Sequence, residues 1–316
     1  MYFHYSNTCS MLNKGSGKEP INITSIFDHD TILHLRIPFS FFLLPVFCFG
    51  ISQSSYIHIN DTLIVFFALH LLIYPGSNVY NSYMDKDTGS IGGLEHPPPV
   101  TPKLYYASII FDLAGLLLCS LSSWQNAFVM AGYVAFSKVY SWHGIRLKKY
   151  AYLAWASVLF FQGGYTFMLA HMAAEGSVSM QWFTAKNVAC MIISSLLIGA
   201  FYPLTQIYQH NEDSQRGDFT ISYRLGIIGT FIFTAVLFLC GTVVSYNYFT
   251  TYYTLSHFLI FLVCLMPAVT YFAYWFAITT RNRKNANYTH AMQMNKVASL
   301  CMIICFTVIL YLNHRK

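Results

Sequence analysis

The feature that most constrains this chain is a series of long apolar runs that follow one another with few charges between them. Only 9% of the 316 residues are charged, whereas 55% are hydrophobic and 18% are aromatic. So few charges cannot cover the surface of a soluble domain. Many of the runs approach the ~20 residues that a helix needs to cross the ~30 Å hydrocarbon layer of a bilayer. The sequence therefore predicts an all-α, polytopic membrane helix bundle.

Nine membrane-spanning helices are predicted from the positions of these runs. They are Ile37–Ser54, Thr62–Tyr80, Leu104–Ser120, Gln125–Tyr140, Tyr150–His171, Thr184–Tyr208, Leu225–Tyr246, Tyr253–Thr279 and Val297–Leu312. The third and fourth runs are short and are interrupted by polar residues. Residues 1–33 are polar and lack the apolar core of a signal peptide. We expect them to form a cytoplasmic N-terminal segment, followed by a transmembrane domain over residues 34–316.

The basic residues predict how the bundle is oriented in the membrane. One set of alternate segments holds most of them, including Lys86 and Lys103, then Arg146, Lys148 and Lys149, then Arg216 and Arg224. Short cytoplasmic loops retain Lys and Arg, so these segments are expected to face the cytoplasm. The N-terminus is then inside and the C-terminus outside. We expect an integral membrane protein, in the inner or plasma membrane if the source is a bacterium.

A short acidic segment occurs twice in the chain. YPGSNVYNSYMDKDTG, from Tyr74 to Gly89, and YPLTQIYQHNEDSQRG, from Tyr202 to Gly217, share Tyr, Pro, Asp and Gly at a constant offset. Both copies fall at the cytoplasmic ends of predicted helices, four spans apart. This spacing favours, as a hypothesis, the duplication of a four-helix unit with one extra helix. Because the pattern recurs at one topological position, it favours a functional site over ordinary solvating carboxylates.

The residues shared by the two copies indicate a site for divalent metal ions. Carboxylate and amide oxygens are hard ligands of the kind that Mg²⁺ prefers. Asn81 and Asp85 lie four residues apart, as do Gln209 and Asp213, so each pair would share one helical face. Two such faces can each hold a metal ion, with a diphosphate bridging between them.

A transporter is an alternative class, since internal repeats are also common among secondary transporters. Transporters place ionisable groups near the membrane midplane. Here nearly all of the charge lies at one edge of the predicted bundle. This distribution favours capture of a polar head group at the membrane surface, with its apolar tail in the bilayer.

The acidic segments resemble the motifs of the UbiA family of intramembrane prenyltransferases, whose members have nine helices. NSYMDKDTG, from Asn81 to Gly89, resembles the family's Asn-Asp-x-x-Asp-x-x-x-Asp motif. QHNED, from Gln209 to Asp213, resembles its Asp-x-x-x-Asp motif. The segment YSWHGIRLKKY, which begins at Tyr140, is similar to the family's loop in which a Tyr and a basic residue contact the diphosphate.

This resemblance implies an activity and a set of site residues. The activity is Mg²⁺-dependent transfer of a prenyl group from a prenyl diphosphate to an aromatic, quinone-precursor-like acceptor within the membrane. The implied metal ligands are Asn81, Asp85, Asp87, Gln209, Glu212 and Asp213. The residues expected at the diphosphate are Arg146, Lys148, Lys138 and Tyr140. The expected partners are thus a prenyl diphosphate, a hydrophobic or aromatic acceptor and membrane lipid, with no nucleic acid.

The sequence also departs from the family's motifs. Ser82, Gly89 and Gln209 stand where the family has Asp, which leaves Asp85 and Asp213 as the standard acids. A catalytically inactive or divergent UbiA-like protein is therefore an alternative to the active enzyme. The small-molecule transporter remains a further alternative.

Overall fold

The computed structural model describes residues 26–176 and 183–315, so residues 1–25 of the predicted N-terminal segment lie outside it. Within these ranges the chain forms nine helical stretches of 18 residues or more. They are α1 (His29–Ser52), α2 (Ile59–Asp85), α3 (Lys103–Ser120), α4 (Trp124–Ser141), α5 (Ala151–Glu175), α6 (Ala185–Gln206), α7 (Ile221–Tyr252), α8 (Leu255–Arg281) and α9 (Tyr288–His314). All except α4 are long and apolar enough to cross a membrane. The predicted all-α membrane bundle of about nine helices is confirmed.

Several of the helices are locally irregular. In α1 the backbone turns at Arg36, whose φ of 49° is left-handed. Both α2 and α5 contain a π-helical stretch, at Ala68–Ile73 and Leu159–Tyr165. Such stretches add a residue to a turn and often occur at functional sites. In α2 this stretch directly precedes Tyr74–Asp85, so it sets the direction in which the first acidic segment faces.

The helices pack around a central space. The second half of α1 packs against α5 and α9, and α6 packs against α5 and α7. α8 packs against α7 and α9, while α2 packs against α3, α4 and α5. The contact between α5 and α6 is close, because a Cβ atom added to Gly163 would lie 2.5 Å from Cα of Ser195. Aromatic residues fill the join between α1 and α9, where Phe49 stacks on Phe306 at 4.4 Å.

Three helices end at the same end of the bundle, which we call the acidic end. α2 ends at Asp85, α4 at Ser141 and α6 at Gln206. The first acidic segment stays helical as far as Asp85, so Asn81 and Asp85 share one helical face as predicted. The second does not, because a short helix, His210–Gln215, begins after a break. Asp213 lies on this short helix, and its N–H donates to the carbonyl of Gln209 at 2.9 Å.

Candidate functional site

A cavity of about 330 Å³ opens at the acidic end and extends between α1, α2, α4, α5, α6 and α9. Its two ends differ in chemistry. The wall at the acidic end includes Asn81, Asp85, Asp87, Lys148, Asp213 and Asp218. The wall at the far end includes Val46, Phe49, Leu197, Met302 and Phe306. The cavity therefore offers a charged mouth and an apolar interior.

The length of the cavity can be measured along α9. Asn295 lines it near the acidic end and Phe306 lines it at the far end. At 1.5 Å per helical residue these two positions are about 16 Å apart. Such a space accommodates an extended apolar chain whose polar head remains at the mouth.

Lys148 links the first acidic segment to Asp218, the residue that directly follows the second. Its Nζ pairs with Asp85 and lies 3.7 Å from Oδ2 of Asp218. Arg146 donates to the same Asp218 oxygen at 2.8 Å. The side chains of Asp85 and Asp218 are each only 6% exposed. A carboxylate so far from water needs a cation or hydrogen-bond donors to remain ionised, and these two basic residues supply them.

Asp213 lies in the cavity wall without such a partner. Its Oδ2 is buried and accepts no hydrogen bond from any part of the chain that the structure describes. Burial raises the pKa of this carboxyl to about 7, nearby Asp218, Asp85 and Glu212 add to the shift, and Lys148 opposes it. The carboxylates around Asp213 thus repel one another, which is the kind of environment that attracts a divalent cation.

Two tyrosines and an amide complete the polar part of the wall. The hydroxyls of Tyr140 on α4 and Tyr202 on α6 are hydrogen-bonded to each other, and both rings line the cavity. Asn81 accepts a hydrogen bond from the hydroxyl of Ser141 at 2.8 Å. This bond leaves the second lone pair of the amide oxygen available.

Three of the residues predicted as metal ligands make contacts elsewhere. Asp87 lines the cavity but pairs with Arg216. Gln209 also lines it, and its Nε2 donates to the carbonyl of Ser90 at 3.0 Å. Glu212 does not line the cavity, and its Oε1 instead accepts hydrogen bonds from the backbone of the loop that follows α2.

Two of the basic residues predicted at the diphosphate also lie outside the cavity wall. Nζ of Lys138 lies 2.5 Å from Oδ2 of Asp112, on α3, and 4.3 Å from the ring centroid of Tyr80. Arg146 reaches the site only through Asp218. Of the four residues predicted at the diphosphate, Lys148 and Tyr140 line the cavity.

Comparisons with known proteins identify the family. The model of the UbiA prenyltransferase family matches residues 42–297. The chain belongs to this family. No curated protein sequence matches it significantly. The resemblance drawn from the two acidic motifs is thereby confirmed, and with it the assignment to the prenyltransferases.

Solved structures of UbiA-family members share the fold. A UbiA homologue from Archaeoglobus fulgidus bound to GPP and Mg²⁺ superposes with a TM-score of 0.63 at 15% identity, covering 89% of this chain and 99% of that one. The same homologue bound to DMAPP and Mg²⁺ superposes with a TM-score of 0.62 at 15% identity, with the same coverage of both chains. A structure of digeranylgeranylglyceryl phosphate synthase superposes with a TM-score of 0.55 at 17% identity, covering 91% of this chain and 98% of that one.

Sequence reasoning on this UbiA-family chain missed Arg36 and Arg216 as residues of the site, and considered Asp218 only as a charge that could replace the missing motif acids. Arg36 lines the cavity with its side chain buried, donating to the carbonyls of Gly92 at 3.0 Å and Asn78 at 2.8 Å. Asp218 and Arg216 also line it. The only sequence signal for these residues was their position, before the first span or after the second motif. The positive-inside rule explains the two arginines equally well.

Proposed function

We propose that this protein transfers a prenyl group from a prenyl diphosphate to an aromatic, quinone-precursor-like acceptor within the membrane. The observation that supports this most directly is the cavity itself, which is about 16 Å long and leads from a charged mouth into an apolar interior. A prenyl diphosphate has this same division between a charged head and an apolar tail. In this proposal the acidic end faces the cytoplasm, where the basic loops are expected.

The residues at the mouth fit Mg²⁺. In the described part of the chain, no group of three or more His, Cys, Asp or Glu is placed to hold a metal by itself. Mg²⁺ does not require one, because it usually binds one or two carboxylates together with water and substrate phosphate. Asp85, Asn81 and the unpartnered Oδ2 of Asp213 provide hard oxygen ligands in the cavity wall. When bound there, Mg²⁺ would offset the negative charge of the diphosphate.

The chain's own groups act on the bond that breaks. The bond between the first prenyl carbon and its oxygen cleaves with its electron pair passing to the diphosphate. The Lys148 ammonium at the mouth stabilises that charge. Arg146 holds Asp218 and so keeps Lys148 between the two acidic segments. The acceptor carbon then forms the new bond and loses its proton to water at the open mouth.

Aromatic side chains shield the allylic cation that this cleavage leaves behind. The cavity wall carries Tyr74, Tyr133, Phe136, Tyr140, Phe201 and Tyr202. Each desolvated ring facing a cation stabilises it by about 1–2 kcal/mol. The surrounding helices exclude the water that would otherwise capture the cation.

The experiment uses the purified protein in nanodiscs, radiolabelled prenyl diphosphates and a panel of aromatic acceptors, with and without Mg²⁺. We expect Mg²⁺-dependent prenylated product that is lost in Asp85→Ala and in Asp213→Ala. Asp61→Ala is the matched control, because Asp61 lies in the first turn of α2, at the opposite end of the helix from Asp85. Binding of a prenyl diphosphate without any product would identify a UbiA-like protein that has lost catalysis. Absence of binding would reject the proposal.

A further inference from the structure

The loop that follows α2 is held over the cavity mouth by side chains from outside the loop. We call residues 87–92 the cap loop. Three of its residues, Asp87, Ile91 and Gly92, line the cavity together with Asp85 and Asp213. The position of this loop therefore determines how open the mouth is.

Glu212 accepts more hydrogen bonds from the cap loop than any other described residue makes with it. Its Oε1 accepts hydrogen bonds from the backbone N–H groups of Thr88 at 3.0 Å and of Gly89 at 3.1 Å. Arg216, one helical turn further on, pairs with Glu212 and also with Asp87. One carboxylate and one guanidinium thus fasten the first half of the loop to the helix His210–Gln215 and its cap residue.

The second half of the cap loop is held in the same manner. Gln209 donates to the carbonyl of Ser90, and Arg36 donates to the carbonyl of Gly92, each at 3.0 Å. Ring atoms of Phe39 lie beneath Gly92, where an added Cβ would be 2.5 Å from the nearest of them. The two hydrogen bonds go to backbone carbonyls, and Phe39 packs where Gly92 has no side chain. Together these contacts fix the path of the loop, and the hydrogen bonds do not depend on the side chains of the residues that accept them.

Gly89 is the position at which this arrangement departs most clearly from the acidic motif. A Cβ atom at Gly89 would lie 2.5 Å from Oε2 of Glu212. The backbone of Gly89 is outside the left-handed region, so glycine is not needed there for its conformation. The absent side chain leaves space instead, because a Cβ at this position would force Oε2 of Glu212 to move, and with it the carboxylate whose Oε1 accepts the two N–H groups.

We propose that Glu212 is a positioning residue that, with Arg216, holds the cap loop closed over the prenyl diphosphate, and that Gly89 provides the space for it. This inference rests on the proposed function for its ligand, but the closure itself is a property of the free protein. Glu212 is distinct from Asp213 in this respect. Asp213 lines the cavity with a free oxygen, whereas Glu212 faces the loop and its Oε1 already accepts four donors.

The first test measures hydrogen–deuterium exchange of peptides that cover residues 86–94, in nanodiscs and without any ligand. Two amide protons are held by Glu212, so Glu212→Ala should increase their exchange rate about tenfold. Glu95→Ala is the matched control, because Glu95 is an exposed acid of the same connection whose carboxylate makes no hydrogen bond or ion pair within the described residues. Unchanged exchange in Glu212→Ala would overturn the proposal.

The second test is a double-mutant cycle on Gly89 and Glu212. Gly89→Ala should also speed exchange of the cap loop in the wild-type background, because the new methyl group displaces the carboxylate. In the Glu212→Ala background the same substitution should have no further effect, since the clash no longer exists. Equal effects of Gly89→Ala in both backgrounds would show that the glycine serves something other than Glu212, and would overturn its part in the proposal.

A third measurement separates positioning from metal binding. Glu212→Ala should raise KM for the prenyl diphosphate several-fold and change the Mg²⁺ concentration for half-maximal activity less than twofold. A rise of tenfold or more in the Mg²⁺ concentration for half-maximal activity of Glu212→Ala would make Glu212 a metal ligand and overturn the inference. If the protein forms no product at all, the proposed function fails, while the exchange measurements still decide whether Glu212 holds the loop.

Discussion

The Lys148 ammonium pairs with Asp85, at the end of α2, and thereby joins the loop after α4 to the first acidic segment. Its side chain is 12% exposed, so both partners of this pair are almost wholly removed from water. In the free protein Lys148 compensates the carboxylates at the mouth. With a diphosphate bound, the same ammonium is placed to contact the phosphate oxygens.

Replacing Lys148 should therefore weaken the reaction, and because it leaves the buried Asp85 without its partner, kinetics are compared on folded protein whose unfolding midpoint is measured alongside. A hydrogen bond to a charged group contributes about 1.5–3 kcal/mol, so Lys148→Met is expected to lower kcat/KM at least tenfold. Lys149→Met is the matched control, because Lys149 is exposed and points to the ring of Tyr150. Steady-state kinetics of both variants check this, and equal losses in the two would contradict the role given to Lys148.

Lys138 has a different role, because its ammonium is paired with Asp112 between α3 and α4. The Asp112 side chain is 8% exposed, and the ammonium also lies over the ring of Tyr80. Removing one partner of a buried pair leaves the other uncompensated, at a cost of about 3–5 kcal/mol. We expect Asp112→Leu to lower the thermal unfolding midpoint clearly, and the double variant Asp112→Leu with Lys138→Met to recover much of the loss.

The same pair provides a kinetic check. Since Lys138 does not line the cavity, Lys138→Met should leave KM for the prenyl diphosphate within about twofold of wild type once the protein is folded. A large rise in KM with an unchanged unfolding midpoint would show instead that Lys138 reaches the ligand. The two measurements together thus distinguish a structural ion pair from a substrate contact.

The helices and the position of the site could be predicted from sequence because both depend on patterns within short segments. Apolar runs of bilayer length define the spans, and the repeated Asp85 and Asp213 mark the helix ends that meet at the mouth. The distinction between Lys148, which lines the cavity, and Lys138, which does not, could not be predicted. It depends on the packing of α3 against α4, which places Asp112 within reach of Lys138.

The contacts of Glu212 were equally hidden from sequence. Glu212 and Asp213 are adjacent acidic residues of one motif, so the sequence does not distinguish the role of one from that of the other. The break in the helix between α6 and His210–Gln215 turns one of them into the cavity and the other towards the cap loop. Which of two neighbouring side chains faces a site is decided by the backbone, and this break carries no distinctive sequence pattern.

Asp28 anchors the first helix to the first residue of α3, and its contribution should depend on pH. It caps α1 by accepting the N–H of Thr31 at 2.9 Å and pairs with Lys103 at 2.7 Å. The hydrogen bond from Lys103, with that from Thr31, lowers the pKa of Asp28 from 3.8 to about 2. Folding thus favours the ionised form, so the stabilisation is complete above about pH 4 and is lost as the pH falls towards 2.

The corresponding measurement compares thermal unfolding midpoints of wild type and Asp28→Asn across this range. The difference between them should be largest near neutral pH and should shrink as the pH falls from 4 to 2. Lys103→Met, which removes the larger cause of the shift, should produce a smaller loss with the same dependence. A difference that stays constant with pH would show that the ionised carboxylate of Asp28 contributes nothing to stability.

Met302 tests whether the apolar end of the cavity receives the prenyl tail. It lines the cavity on α9, about 10 Å further from the mouth than Asn295. Met302→Ala lengthens the space, so the ratio of kcat/KM for geranylgeranyl diphosphate to that for geranyl diphosphate should rise about tenfold. Met302→Phe should change the ratio in the opposite direction. Leu300→Ala and Leu300→Phe are the matched controls, because Leu300 is 60% exposed on the same helix. If all four variants keep the wild-type ratio, the tail does not occupy the space beside Met302.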